Sequence, residues 1–455
     1  MLNKKMNENF GKKNWFILLL FGLIGQIAWS VENMYFNLFV FEEISPSLDV
    51  ITLMVQLSGI MATVVTLIAG AWSDKVGNRR SFLSWGYVIW GVTVALFGCL
   101  TPERMQAVFG GSYAKAVALT LVLAVVGDCV MTAFGSTAND SAFNAWVTDN
   151  TRKEYRGKVE GIISILPLLA MLIVAGGFGI LVGFIGYTWL FIGLGVVITV
   201  CGVIGLVKVK DSPSLRKGGS FKEIFYGFKP SVIKKNTPFY MTLIVVLIYG
   251  IACQIFMPYM MIYMKTYLGF SVMEYSVVFA LAILGGGALN IYLTKLSDKK
   301  DKIKMLYIAT GVMAVGLFGM YLCDFKAKTA NLILFGIAGF VMITGYILIS
   351  ALTGSTVRDY TEAGSVGKLQ GVRMVFSVLI PMVVGPMIGN AINASQGIRL
   401  GDLNSPDVMT TEYIPAREIF LVASIATLFI YIVLPFLQKQ IKKAKAGEVK
   451  NGTQE

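Results

Sequence analysis

The 455-residue chain contains no histidine at all and only five cysteines. Without histidine there is no His-dependent catalysis, no His metal ligation and no His proton relay. Proton chemistry near neutral pH is left to carboxyl groups. The cysteines (Cys99, Cys129, Cys201, Cys253 and Cys323) stand singly, each inside a long apolar stretch. That scatter offers neither a disulfide framework nor a metal site. Charged residues make up only 14% of the chain, and no stretch is long and polar enough for a soluble domain. These absences argue against a membrane enzyme, and no cofactor is expected.

What is abundant is apolar surface. The chain is 56% hydrophobic, with mean hydropathy +0.70, more than a soluble protein of this size could hide. Many runs reach the roughly 20 residues needed to cross about 30 Å of hydrocarbon. The expectation is an all-α membrane protein of twelve transmembrane helices. The net charge of +13 does not point to nucleic acid, because of its placement. All but seven of the 39 Lys and Arg residues fall on one side of the expected topology. That asymmetry puts both termini in the cytoplasm of a multi-pass cell-membrane protein. Lys4, Lys5, Lys12 and Lys13 precede an apolar run too long for a signal-peptide core, so the first helix is read as retained.

The expected spans are 14–41, 49–72, 81–100, 116–146, 159–184 and 186–207, then 238–264, 272–293, 303–323, 331–353, 369–393 and 417–437. Between the sixth and seventh lies the longest hydrophilic stretch, 208–237, with eight basic residues, Pro213, Pro230 and Gly218-Gly219. It is read as a cytoplasmic linker between bundles 1–207 and 238–455, the second carrying a basic tail. Within the linker, Phe221–Phe228 is expected as a short amphipathic helix on the membrane surface. Loops 101–115 and 394–416 are placed outside.

Two features suggest duplication. The turn Gly70–Arg80, GAWSDKVGNRR, recurs faintly at Thr294–Lys304, TKLSDKKDKIK. Val147–Gly161, VTDNTRKEYRGKVEG, aligns without gaps to Val357–Gly371, VRDYTEAGSVGKLQG, and shares six residues of fifteen.

Gly70, Asp74, Lys75, Gly77, Arg79 and Arg80 resemble the loop 2–3 signature of the major facilitator superfamily, with Asn78 where that family usually has a basic residue. The resemblance implies two pseudo-symmetric six-helix bundles that rock about a central site, giving alternating access. It also implies gating roles for Gly70, Asp74, Gly77, Arg79 and Arg80, and for Asp149, Arg156, Asp298 and Asp359 as equivalent latch groups. Asp74 is expected beside a helix start of the opposite bundle. Within the superfamily, the first span (GQIAWSVENMYFNLF), the Gly70–Arg80 turn and Asn144–Asp149 (NAWVTD) look most like glycoside–cation symporters and sucrose-type carriers. Melibiose-type sodium symporters carry two aspartates where this chain has Ala62 and Thr66, so a proton is the expected coupling ion. A monomer is expected.

Polar side chains inside the spans are the candidate substrate and coupling sites. Gln26, Ser30, Asn33 and Asn37 follow i, i+4, i+7 and i+11, which forms one stripe on a regular helix, flanked by Trp29. Amides, hydroxyls and an aromatic ring suit a sugar or glycoside; interhelical packing is the alternative reading. Asp128 shares a face with Thr132, Gly135 and Asn139. With no obvious basic partner it is the first candidate for proton coupling, and Glu32 the second. In the second half Tyr249 and Gln254 are candidate ligand contacts, while the methionines around Met257–Met264 are expected to fill the core. A drug, a nucleoside or a lysolipid as cargo stays open, as does a non-transporting sensor.

Overall fold

The computed structural model describes residues 11–151, 156–212, 215, 221–297, 301–361, 366–399 and 412–452. Among these the chain is helical, apart from turns and one isolated antiparallel bridge between Arg399 and Tyr413. Helix is the form in which an apolar segment satisfies its own N–H and C=O groups in lipid. The chain divides into two compact units, Met1–Phe221 and Lys222–Glu455, a division that falls within the hydrophilic stretch 208–237.

The first unit contains α1 (Lys12–Ile44), α2 (Leu48–Val76), α3 (Arg79–Phe97), α4 (Pro102–Phe109), α5 (Tyr113–Asn150), α6 (Arg156–Ile173) and α7 (Gly179–Lys208). A 3-10 helix at Phe221–Phe228 spans the division between the units. The second unit continues with α8 (Pro230–Lys235), α9 (Thr237–Thr266), α10 (Val272–Ser297), α11 (Lys302–Tyr321), α12 (Lys328–Asp359), α13 (Leu369–Gln396) and α14 (Glu418–Ala444).

Ten described helices are long and apolar enough to cross a membrane, or eleven if the bent pair α3 and α4 counts as one span. One of the ten, Gly161–Lys208, holds two of the expected spans. It is broken at Gly186, whose φ of 73° leaves the helical region. The twelve expected segments are therefore all helical. The outside loop 101–115 differs from expectation: Pro102 starts the short helix α4, which lies at 91° to α3. Proline suits that first position because its missing N–H has no intrahelical partner there.

Five stretches widen into π-turns: Glu32–Phe36 and Val40–Ile44 in α1, Ser136–Phe143 in α5, Val174–Phe178 between α6 and α7, and Val375–Leu379 in α13. Those in α1 and α5 interrupt the 3.6-residue period on which the polar-face readings depend.

Close packing within each unit runs through small residues. In the first, Gly91 on α3 meets Gly195 and Thr199 on α7. In the second, Gly316 on α11 lies against the Met342 backbone of α12, and Gly345 on α12 against the Met313 backbone of α11. Met260, Met261 and Met264 are buried, as core filling requires.

Candidate functional site

The first unit collects carboxyl groups inside its helices. Asp128 on α5 is buried and accepts a hydrogen bond from the Ser58 hydroxyl of α2. Glu32 on α1 is also buried and accepts from Thr132 Oγ1 at 3.0 Å. Thr132 Oγ1 lies 3.3 Å from Ser58 Oγ. Each hydroxyl has one proton to give, so Glu32, Thr132, Ser58 and Asp128 link into one hydrogen-bonded chain across three helices when one of the two carboxyls is protonated. Glu32 turns toward α5 and α2, and the sequence-expected pair of carboxyls meets through two hydroxyls.

A third carboxyl, Asp140, lies three turns further along α5. Ser136 Oγ donates to its Oδ2 at 3.1 Å, and the Trp29 indole lies beside it. Among the described residues, none of the three carboxyls has a Lys or Arg partner. The Trp29 ring also packs against Trp90 of α3, centroids 5.1 Å apart.

The polar stripe on α1 does not run straight. Gln26, Trp29 and Ser30 are half-buried, Asn33 is exposed and Asn37 is buried. Asn33 Nδ2 donates to Trp29 O at 2.7 Å, and Asn37 Nδ2 to Asn33 O at 3.4 Å. The π-turn at Glu32–Phe36 adds a residue to the turn and rotates Asn37 off the line of the other three. Asn139 is also buried. It sits in the π-turn of α5 and accepts from Tyr87 OH at 3.2 Å. Tyr249 and Gln254 belong to the second unit. The Tyr249 ring lies 6.1 Å from that of Tyr346, and Gln254 packs against Gly385 of α13.

The charged turn after α2 is held within its own unit. Gly77 ends α2 with a φ of 66°, the left-handed conformation that glycine reaches without cost. Asn78 caps α3 through Oδ1, which accepts from Ser81 N at 2.9 Å. The departure from the family pattern at this position is therefore a helix cap. Arg79 is 6% exposed. Its guanidinium donates to Asp74, to Ser73 Oγ and, at 3.1 Å, to Asp149 of α5. Asp74 is thus engaged by Arg79 of its own turn. Asp211 Oδ1, beyond α7, accepts from the backbone N–H of both Arg79 and Arg80 at 2.9 Å. The Arg80 guanidinium donates to Leu206 O. Gly70 lies beside Ser141.

The second unit repeats the turn. Asp301 caps α11 by accepting from Ile303 N at 2.9 Å, and Lys302 Nζ donates to Asp359 at 2.7 Å and to Ser355 Oγ at 2.8 Å. Asp298 and the Arg156 side chain lie outside the described residues.

Ser58, Asp140 and Asp211 were not singled out by the sequence. Asp140 carried a signal, being a charge inside an apolar span. Ser58, one turn from Ala62, carried none.

A family model described as Major Facilitator Superfamily matches residues 18–386. No curated protein matches in sequence. Solved structures match in fold. A point mutant of the nucleoside transporter NupG shows 10% identity and a TM-score of 0.68, covering 93% of this chain and 99% of its own. A bacterial homologue of the iron transporter ferroportin in an inward-facing state shows 14% and 0.67, covering 93% and 98%. The D-xylose-proton symporter shows 12% and 0.66, covering 91% and 96%.

Proposed function

Because this chain belongs to the Major Facilitator Superfamily, and is thus a multi-pass membrane transporter, we propose that it carries a sugar or glycoside across the cell membrane by alternating access, in symport with protons. The observation that supports the coupling most is the chain from Glu32 through Thr132 and Ser58 to Asp128. Ionised carboxyls deep in an apolar bundle are costly without a counter-cation. Here no basic residue faces either one among the described residues. A proton is the smallest cation that can serve, and the hydroxyls let two carboxyls share it.

The sugar reading rests on Gln26, Ser30 and Asn33 along α1 with Trp29 among them. Amides and hydroxyls match the donors and acceptors of a polyol, and an indole ring packs on the apolar face of a sugar ring. A second reading, a nucleoside, is favoured by Asp140 beside Trp29. A carboxylate accepts from ribose hydroxyls while the indole stacks on the base. In either reading Arg79, Asp74 and Asp149 hold the cytoplasmic end of the first unit, and Lys302 and Asp359 that of the second.

Uptake into proteoliposomes with an imposed pH gradient, an imposed sodium gradient or neither tests the coupling. Competition by a panel of sugars, glycosides and nucleosides tests the cargo. Accumulation driven only by sodium overturns proton symport, and competition by nucleosides alone overturns the sugar reading.

A further inference from the structure

The stretch leading into α9 carries an apolar surface outside any span. Phe225, Phe228 and Ile233 are 68%, 41% and 39% exposed. Lys229 and Lys234 stand exposed among them. The other side of the same stretch is docked. Val232 is buried in a cluster with Phe239, Tyr240 and Leu243 of α9, Val357 of α12, and Leu369 and Val372 of α13, with Tyr226 packed against it. Tyr240 OH donates to Gly227 O, and Lys229 Nζ sits 5.9 Å from the centre of the Tyr226 ring. The stretch is therefore held in one orientation, Tyr226 and Val232 inward and Phe225, Phe228, Ile233, Lys229 and Lys234 exposed.

Its depth is set by covalent connection. Lys235 ends α8, and α9 begins two residues later at Thr237 as a membrane span. Packing of Val232 and Tyr226 on Phe239, Tyr240 and Leu243 keeps the stretch beside the first turns of that span, the level at which headgroups are expected. Rings at that depth enter the interface, and lysines beside them meet phosphates. An aqueous partner would leave no reason for phenylalanines so close to the hydrocarbon edge.

We propose that Phe225–Lys235 is a binding surface for anionic phospholipid. Phe225, Phe228 and Ile233 enter the interfacial layer, while Lys229 and Lys234 contact the phosphates. Because Val232 and Tyr226 pack on Val357, Leu369 and Val372, lipid bound here bears on the ends of α12 and α13, between which Asp359 lies.

The full-length protein in nanodiscs provides the test, by hydrogen exchange of the backbone amides of 225–235. Discs of phosphatidylcholine are compared with discs containing about a third phosphatidylglycerol. Exchange is expected to slow in the anionic discs, with each lysine contributing about fivefold to the preference. The variant Lys229→Gln/Lys234→Gln should remove the difference. Phe225→Ser/Phe228→Ser should speed exchange in both kinds of disc. Equal wild-type exchange in the two kinds of disc overturns the proposal. So does slowing by inorganic phosphate in phosphatidylcholine discs, which would mean a free-anion site. The wild-type comparison decides even if a variant fails to fold, and no substrate is needed, so the outcome is independent of the cargo.

Discussion

Lys302 stands to Asp359 as Arg79 stands to Asp149. In each unit the first residue of a helix that follows a charged turn donates to an aspartate at the end of the next long helix, at 2.7 Å and 3.1 Å. The offset between Arg79 and Lys302 is 223 residues, and the helix caps Asn78 and Asp301 share it. So do Trp90 and Met313, which pack on Gly135 and Gly345. Those two glycines differ by 210, as do Asp149 and Asp359. The two units thus repeat each other in side-chain contacts as well as in helix order.

The repeated pairs differ in burial, and their contributions should differ with it. The Arg79 side chain is 7% exposed, with three acceptors, whereas the Lys302 and Asp359 side chains are 36% and 51% exposed. Exposed pairs contribute under about 1 kcal/mol. Removing one partner of a fully buried pair costs about 3–5 kcal/mol, and less here because Asp74 and Asp149 are partly exposed. Arg79→Met is therefore expected to lower the melting temperature in detergent clearly more than Lys302→Met. Equal shifts would contradict the assignment.

The start of α3 has two acceptors, one from Asn78 and one from Asp211. Asn78→Ala should cost about 1 kcal/mol, while Asn78→Ser should cost little, since serine also caps. Asp211→Ala should cost a similar amount. The double variant removes both side-chain acceptors from one helix end, so its loss should exceed the sum of the two. Additive melting shifts would mean that the amide oxygen of Asn78 and the carboxylate of Asp211 act independently.

The spans were legible because lipid demands length and apolarity, and both can be read in one dimension. Asp128 and Glu32 were legible because a charge in such a span stands out. Orientation was less so. The stripe reading takes about 100° per residue, and π-turns at Glu32–Phe36 and Ser136–Phe143 interrupt that period before Asn37 and around Asn139. Ser58 was invisible for another reason. A hydroxyl in an apolar helix ordinarily bonds its own backbone, as Thr52 and Thr63 do to Leu48 O and Gly59 O. Nothing in the sequence distinguishes Ser58, which reaches Asp128 instead. Asp211 is read as linker until the fold brings it back to α3.

Glycines should divide by what surrounds them. A Cβ at Gly316 would lie 2.3 Å from the Met342 backbone nitrogen, whereas one at Gly287 meets nothing within 4 Å. Gly316→Ala forces α11 and α12 apart, with a cost of about 1–3 kcal/mol. Gly287→Ala gains helix propensity of up to about 1 kcal/mol. Melting in detergent should fall for the first and hold or rise for the second. A fall at Gly287 would reveal a contact outside the helix pair.

The hydroxyl chain between Glu32 and Asp128 makes the sharpest demand on transport. Asp128→Asn removes one carboxyl but keeps its shape and a hydrogen-bonding oxygen for Ser58. Uptake driven by a pH gradient should be lost, while exchange of labelled for unlabelled substrate at equal pH persists, since exchange needs no net proton movement. Thr132→Val keeps both carboxyls and breaks the link between them. If the two groups share one proton through Thr132, this variant should slow pH-driven uptake at least tenfold, about 1.4 kcal/mol, with exchange again preserved. If Asp128 works alone, Thr132→Val should leave pH-driven uptake near the wild-type rate. Loss of exchange in both variants would instead make the chain part of the substrate site, and the coupling role would pass to Asp140.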